Sequence, residues 1–405
     1  MTEHCSQQKL QKRLHFSVEE YSKRLLKTRT AMEKKGIDVL MVTDPSNMNW
    51  LSGYDGWSFY VHQCILVTPD SKLLWFGREQ DARGAQKTVY MDDEDVLFYP
   101  DHYVQSDFCH PMDVLSEILQ QRGYAKKQIG VEMDNYYYSA RAHQRLEQGL
   151  PNAKLIDATG VVNWQRIQKS PRELFYMYRA GKLVARMHKK AQEVVKPGLR
   201  KCDLAGFIYQ AALEQMQDGE GVFGGDYAAI VPLMPSGKDA SAPHLTWDER
   251  PLIKGEGFFL ELAGCHRRYH CSLSRTFFLG RPTSVFMDAE KAVNEGIEAG
   301  LEVAKIGNYA EDIAIAYQDI LSRYHIEKTN RAGYSIGLSY PPDWGERTVS
   351  LRAGDKTVLA ENMTFHFMTG LWMEEWGFEI TESIVITKDG PKCLADFDRQ
   401  LVVVD

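Results

Sequence analysis

Long apolar runs, surplus positive charge and paired cysteines are all scarce in this sequence. No apolar stretch approaches the roughly 18 residues that a membrane-spanning helix needs, so no membrane is expected as a partner. Lysine and arginine number 48 against 55 aspartate and glutamate, a formal charge of -7. That balance speaks against nucleic acid or an anionic lipid surface as a partner. The seven cysteines are scattered and contain no Cys-x-x-Cys pair, so neither a disulfide framework nor a zinc ribbon is indicated. Cys265, His266, His270 and Cys271 lie close together in sequence, but strand alternation sends Cys265 and His266 to opposite faces. They are expected to be hairpin residues rather than zinc ligands. Met1 to Ser17 is polar and mixed in charge, without the hydrophobic core of a secretory signal, and a cytoplasmic protein is expected.

What is present reads as two domains in 405 residues. Ser17-Val18-Glu19-Glu20 is a capping-box pattern that opens a helix toward Lys35, stopped at Gly36. Val39 to Thr43 predicts a buried strand, Cys64 to Thr68 and Lys72 to Phe76 a hairpin through Pro69-Asp70, and Ile129 to Met133 a further strand. This alternation indicates an α/β domain over residues 1–168. A second domain, 169–405, opens at Ser170-Pro171-Arg172-Glu173. There Ser is the N-cap, Pro takes the first helical position and Glu completes the box. Pro197-Gly198 closes that helix.

The second half contains a repeat. Glu193-Val194-Val195-Lys196-Pro197-Gly198 with Asp203-Leu204-Ala205 matches Glu302-Val303-Ala304-Lys305-Ile306-Gly307 with Asp312-Ile313-Ala314, at a constant offset of 109 residues. A duplicated helix-turn-helix unit is expected, with a site between its two copies.

Phe258-Phe259-Leu260-Glu261-Leu262-Ala263-Gly264 and Tyr269-His270-Cys271-Ser272-Leu273-Ser274-Arg275-Thr276 resemble the metal-binding strand pair of the creatinase/aminopeptidase, or pita-bread, family. The resemblance implies a creatinase-like α/β N-terminal domain and an α+β pita-bread catalytic domain with an internal pseudo-two-fold repeat. Metal-using members bind two ions through Asp, Asp, His, Glu and Glu. Matched to that motif, the five positions read Glu261, Ser272, Tyr334, Met368 and Glu382. A serine, a phenol and a thioether do not suit a divalent-ion site, so no metal and no other cofactor is expected. His244, in Ala242-Pro243-His244-Leu245-Thr246, matches the histidine that faces the family's active site.

Without a metal, a neutral amide is a poor substrate. An amidinium or guanidinium carbon is electrophilic without a Lewis acid, so metal loss with carboxylate retention points to a cationic substrate. Further stretches, among them Gly53-Tyr54-Asp55-Gly56-Trp57-Ser58-Phe59-Tyr60-Val61-His62-Gln63 and Tyr340-Pro341-Pro342-Asp343-Trp344-Gly345, are similar to ectoine-hydrolysing members of the family. That resemblance implies hydrolysis of the cyclic amidine ectoine, or its hydroxylated form, to N-acetyl-L-2,4-diaminobutyrate. It assigns Glu382 to hold the amidinium, Glu261 to act at the amidine carbon as nucleophile or base, and His244 to protonate the departing nitrogen. Tyr334, Trp372, Phe367 and Trp376 are candidate pocket walls, against which core packing is an equal reading, and Asp226 is a further candidate. Trp57, Phe59, Tyr60 and His62 are candidate contacts to the second site of a homodimer, and a deacetylase is a candidate downstream partner. The competing readings are a creatinase-like hydrolase of another amidino or guanidino acid, a metal-dependent prolidase-like peptidase, and a binding protein without activity.

Overall fold

The computed structural model describes residues 12–70 and 72–405, and the polar opening segment Met1 to Gln11 lies outside them. The chain divides into two compact units that meet in sequence between Gln165 and Arg166. None of the described helices is long and apolar enough to cross a membrane.

The N-terminal unit opens with α1 (Val18–Lys34), where the Ser17 hydroxyl accepts a hydrogen bond from the Glu20 amide. The run after Gly36 forms β1 (Val39–Val42), buried throughout. With β2 (Cys64–Val67), β3 (Leu73–Arg78), β4 (Val96–Tyr99), β5 (Gln128–Val131) and β6 (Lys154–Asp157) it builds a mixed sheet in the order β4-β3-β2-β1-β5-β6. Strand alternation divides the core. Leu40, Val42, Ile65, Val67 and Trp75 join one cluster, and Val39, Met41, Cys64, Leu66 and Phe76 the other. The sheet is therefore covered on both faces, by α1, α2 (Pro45–Ser52), α3 (Glu79–Thr88), α4 (Pro111–Gln121) and α5 (Ala140–Gly149).

The C-terminal unit begins with α6 (Pro171–Val194), whose Ser170–Glu173 capping box is formed in both directions. Next come α7 (Lys201–Leu213), β7 (Met216–Asp218), β8 (Gly221–Phe223) and the long strands β9 (Gly257–His266) and β10 (Tyr269–Leu279). Arg267 and Arg268 both have positive φ, at 53° and 66°, which lets a two-residue turn join β9 and β10. The second half repeats the helical plan in α8 (Ser284–Val303) and α9 (Ala310–Arg323). The ends of α6 and α8, at Val194 and Val303, are 109 residues apart, as are the starts of α7 and α9, at Lys201 and Ala310. Gly198 and Gly307, at the same offset, have φ of 88° and 95°, a conformation open to glycine at little cost. The repeat seen in the sequence is thus a repeat of helix, left-handed glycine and helix.

After α9 come β11 (Gly333–Ile336), β12 (Gly345–Leu351), β13 (Thr364–Phe367), β14 (Leu371–Trp372), β15 (Gly377–Phe378), β16 (Glu382–Thr387), β17 (Gly390–Cys393) and β18 (Val402–Val404). Among the described residues, five of them form a sheet in the order β12-β11-β13-β16-β17, and β18 pairs with β10. A core of α8 and α9 side chains, including Ile297, Ile313 and Tyr317, packs against Phe365, Phe367, Ile384 and Ile386. The segment just before β16 runs beside β10: the Thr381 amide donates to the Ser274 carbonyl, and the Ser274 amide to the Thr381 hydroxyl.

Candidate active site

Glu261 sits at the middle of β9 in register with Ser274 of β10. Ser272, two residues earlier on β10, shares that face. The backbone of Glu261 also exchanges two hydrogen bonds with Leu233, at 3.0 and 3.1 Å, so its main chain is held from both sides. The side chain is 6% exposed. Burial first, then the charges of Glu379 and Asp343, hold its carboxyl well above the usual carboxylate range.

A hydrogen-bonded chain runs through the neighbouring strands. Trp344 Nε1 donates to the Tyr334 hydroxyl at 2.7 Å, and that hydroxyl also bonds His366 Nδ1 at 3.2 Å. His366 Nε2 in turn bonds the Thr381 hydroxyl at 2.9 Å. In the tautomer with the proton on Nδ1, the Tyr334 oxygen accepts twice and its own hydrogen is left for the site. Burial drives the His366 pKa down to about 3, so the ring is neutral. Burial, then the negative charge of Glu261, drives the Tyr334 phenol well above its ordinary value.

A second buried carboxyl lies beside this chain. Trp372 Nε1 donates to Glu379 Oε1 at 2.7 Å, and the Glu379 amide donates to Thr276 Oγ1 at 2.7 Å. Burial raises the Glu379 pKa against the opposing effects of Trp372, Ser274 and Lys328. The Lys328 ammonium group donates to the Gly370 carbonyl at 2.7 Å and stands 4.8 Å from the centre of the Trp372 ring. Burial lowers the Lys328 pKa to about 7, with Glu379 opposing.

Glu382 faces elsewhere. Its Oε1 accepts from Arg275 Nη2 at 2.8 Å, in a pair exposed by no more than 2%. Arg275 also donates to the carbonyls of Ser274, Thr381, Phe397 and Asp398, so its guanidinium stitches β10 to the final segment of the chain. Thr381 and Glu382 are consecutive in extended backbone and point to opposite sides. Thr381, not Glu382, is the residue of this segment that joins the Tyr334–His366 chain.

The donor set does not fit a dinuclear metal site. Along these strands it reads Glu261, Ser272, Tyr334, Met368 and, by geometry, Thr381. Ser272 already faces Ser383, with the two hydroxyls 3.3 Å apart. Among the described residues no group of three or more His, Cys, Asp or Glu side chains is placed to hold a metal ion.

Residues 176–388 match metallopeptidase family M24, and residues 24–168 match the creatinase/prolidase N-terminal domain. The chain belongs to family M24. Together with the relative described next, membership makes it a hydrolase. It is 56% identical over 397 residues to the ectoine hydrolase of Halomonas elongata, which covers 97% of this chain and all of that protein. An uncharacterised hydrolase/peptidase of Sinorhizobium fredii is 43% identical, covering 97% of this chain and 99% of its own. In fold, the M24 chain is similar to the prolidase of Thermococcus sibiricus, with a TM-score of 0.81 at 17% identity over 95% of this chain and 99% of that one. The creatinase-like and pita-bread architecture expected from the strand motif is therefore present.

The expected site residues of this M24 hydrolase scatter more widely than the sequence suggests. Glu261, Tyr334 and Trp372 stand in or beside the charged cluster. His244 lies exposed on a loop anchored nearby: the Met234 amide bonds the Leu245 carbonyl, and Leu233 is the bridge partner of Glu261. Phe367 is wholly buried on the helical side, edge-on to Tyr317, because alternation turns it away when His366 faces Tyr334. Trp376, partly buried, packs on Phe286 at 5.8 Å against the edge of that core. Asp226 caps the β9–β10 turn, accepting from the Arg267 amide at 2.5 Å, several residues along β9 from Glu261. Trp57, Tyr60 and His62 belong to the N-terminal unit. Tyr60 receives a hydrogen bond from Arg78, and His62 borders a cavity of about 170 Å³ with His110 and Tyr99.

Three residues of the cluster were not anticipated: His366, Glu379 and Lys328. Glu379 carried a readable signal, as a lone acid in the apolar run Gly377-Phe378-Glu379-Ile380. His366 was equally conspicuous between Phe365 and Phe367. Lys328 had none.

Proposed function

We propose that this chain opens the ring of ectoine, a cyclic amidine bearing a carboxylate, to N-acetyl-L-2,4-diaminobutyrate without a catalytic metal. The observation that carries the reading is the donor set around Glu261, in which one buried carboxylate remains where metal-using relatives need five ligands. Extensive identity to the Halomonas elongata ectoine hydrolase supports the choice of substrate.

Glu261 is the group that acts on the amidine carbon. Burial and the charges of Glu379 and Asp343 disfavour its ionised form. An arriving cation reverses the balance, because an adjacent positive charge favours the carboxylate. Bound amidinium and ionised Glu261 therefore form together, and the nucleophile is unmasked beside its target. Attack by Glu261 or by a water it activates gives a tetrahedral carbon, and collapse expels the ring nitrogen with a proton from His244. In the carboxylate route, water then attacks the Glu261 carboxyl carbon, breaks its bond to the bridging oxygen, which leaves with the N-acetyl product, and restores the acid. Tyr334, with its own hydrogen free, steadies the reacting carboxylate.

The reading extends to a cytoplasmic homodimer in which Trp57, Tyr60 and His62 of one copy serve the site of the other, and to a deacetylase that consumes the N-acetyl product.

The test is direct. Purified protein is incubated with ectoine, and the products are followed by NMR before and after exhaustive chelation, with elemental analysis of the same sample. Saturable formation of the N-acetyl product, undiminished by chelation, is the expected result. Activity that tracks stoichiometric manganese, iron, cobalt or zinc would overturn the metal-free mechanism. Turnover of creatine with ectoine untouched would move the chain to the creatinase-like reading.

A further inference from the structure

Glu379 is fully buried, yet its Oε2 has no hydrogen-bond partner among the described residues. The Ser274 hydroxyl, in register with Glu261, is buried beside Glu379, close enough to oppose the rise in its pKa, but outside normal hydrogen-bond geometry. An unmet buried polar group is costly and rare in folded proteins. The open Glu379 oxygen, close enough for its charge to act on Glu261, marks the place where a ligand's donor completes the structure.

The surroundings hold Glu379 for that task. Its other oxygen is taken by Trp372, and both its amide and its carbonyl are bonded to the Thr276 hydroxyl. Gly370 makes the approach feasible: a Cβ there would come within 2.6 Å of the Trp372 ring and 3.0 Å of Glu379 Cγ. Lys328 anchors the same turn through the Gly370 carbonyl. The carboxylate has one fixed oxygen and one presented oxygen.

We propose that Glu379, held by Trp372, with Lys328 as a positioning residue, is the carboxylate that receives the cationic N–H of the substrate. This assignment rests on the amidine-hydrolase reading above and replaces Glu382, whose charge is spent on Arg275. An amidinium carries N–H groups on both sides of its electrophilic carbon. Glu379 Oε2 accepts one of them and leaves the carbon facing Glu261, while the Ser274 hydroxyl stays beside Glu379. The two acids thus divide the work: Glu379 binds and Glu261 reacts.

The experiment measures ectoine binding by calorimetry in the Glu261→Gln protein, where chemistry is arrested, and in the same protein carrying Glu379→Gln. A neutral lactam of the same ring serves as the uncharged probe. Loss of a charge-assisted hydrogen bond weakens ectoine binding about 10- to 150-fold and leaves the lactam's affinity nearly unchanged. An ectoine Kd within threefold of the parent would overturn the assignment. Should Glu379→Gln fail to fold, Trp372→Phe, which frees the second oxygen, is expected to raise KM several-fold with kcat little changed; an unchanged KM in that variant would overturn the assignment equally. If the wild-type protein neither binds nor hydrolyses ectoine, the functional reading fails instead. Acetamidinium then decides the cation site: its addition is expected to raise the Tm of the wild type and not that of Glu379→Gln, and equal shifts would refute the site.

Discussion

Thr381 and Glu382 are neighbours in the chain with opposite allegiances: the first bonds His366 Nε2 at 2.9 Å, the second Arg275 Nη2 at 2.8 Å. That divergence gives Glu382 a structural role. Glu382→Ala leaves the Arg275 guanidinium buried without its counter-charge, at a cost of about 3–5 kcal/mol. For a unit of this size that corresponds to a fall in Tm of roughly 6–20 °C. Calorimetry should show the loss, while the protein that remains folded keeps its KM for ectoine within a few-fold. An unchanged Tm with a hundredfold rise in KM would return Glu382 to the substrate.

Glu261→Gln keeps the size of the side chain and removes its ability to attack or to accept a proton. The expected fall in kcat is at least about 10²–10⁴-fold. Single-turnover hydrolysis by the wild type in heavy-oxygen water distinguishes the two routes. Label in Glu261 supports attack by the carboxylate, and label confined to the product supports an activated water.

Tyr334→Phe strips both Trp344 Nε1 and His366 Nδ1 of a partner. Each orphaned buried group costs about 1–3 kcal/mol. Thermal unfolding should register the change, and a Tm equal to that of the wild type would show that water replaces the phenol.

His188 offers a test of acid stability. Its Nε2 bonds the Leu273 carbonyl at 3.0 Å, and burial, helped by the charge of Arg275, lowers its pKa to about 3. The unfolded chain protonates this histidine near pH 6.5, whereas the folded chain does not. Below pH 6.5 the unfolded state therefore binds one more proton, and stability declines by up to about 1.4 kcal/mol per pH unit until about pH 3. His188→Gln removes that proton, so its Tm should fall less steeply between pH 6 and 4. Identical slopes would contradict the assignment.

Local signals in the sequence carried much of this fold. Ser17 and Ser170 announced their helices because capping chemistry is local. The 109-residue offset announced the duplicated helices because length and glycine position survive where side chains change. The site was legible only where a single motif placed a residue. Glu261 stood out on its strand, but the last carboxylate position was misread by one residue. In an extended segment a slip of one exchanges the two sides, and Thr381 took the place expected for Glu382. Phe367 and His366 illustrate the same parity. Lys328 reaches the site through a turn that joins distant parts of the chain, and no local pattern records such a meeting.

The matched helices of the two halves form a scaffold with approximate two-fold symmetry, but ectoine has a cationic end and an anionic end. Equivalent walls would serve such a molecule poorly. The halves have accordingly kept their resemblance in the helices and parted company at the strands. The first contributes Glu261 and Ser274, and the second contributes Tyr334, His366, Glu379 and Thr381. Symmetry here belongs to the frame, and polarity to what the frame holds.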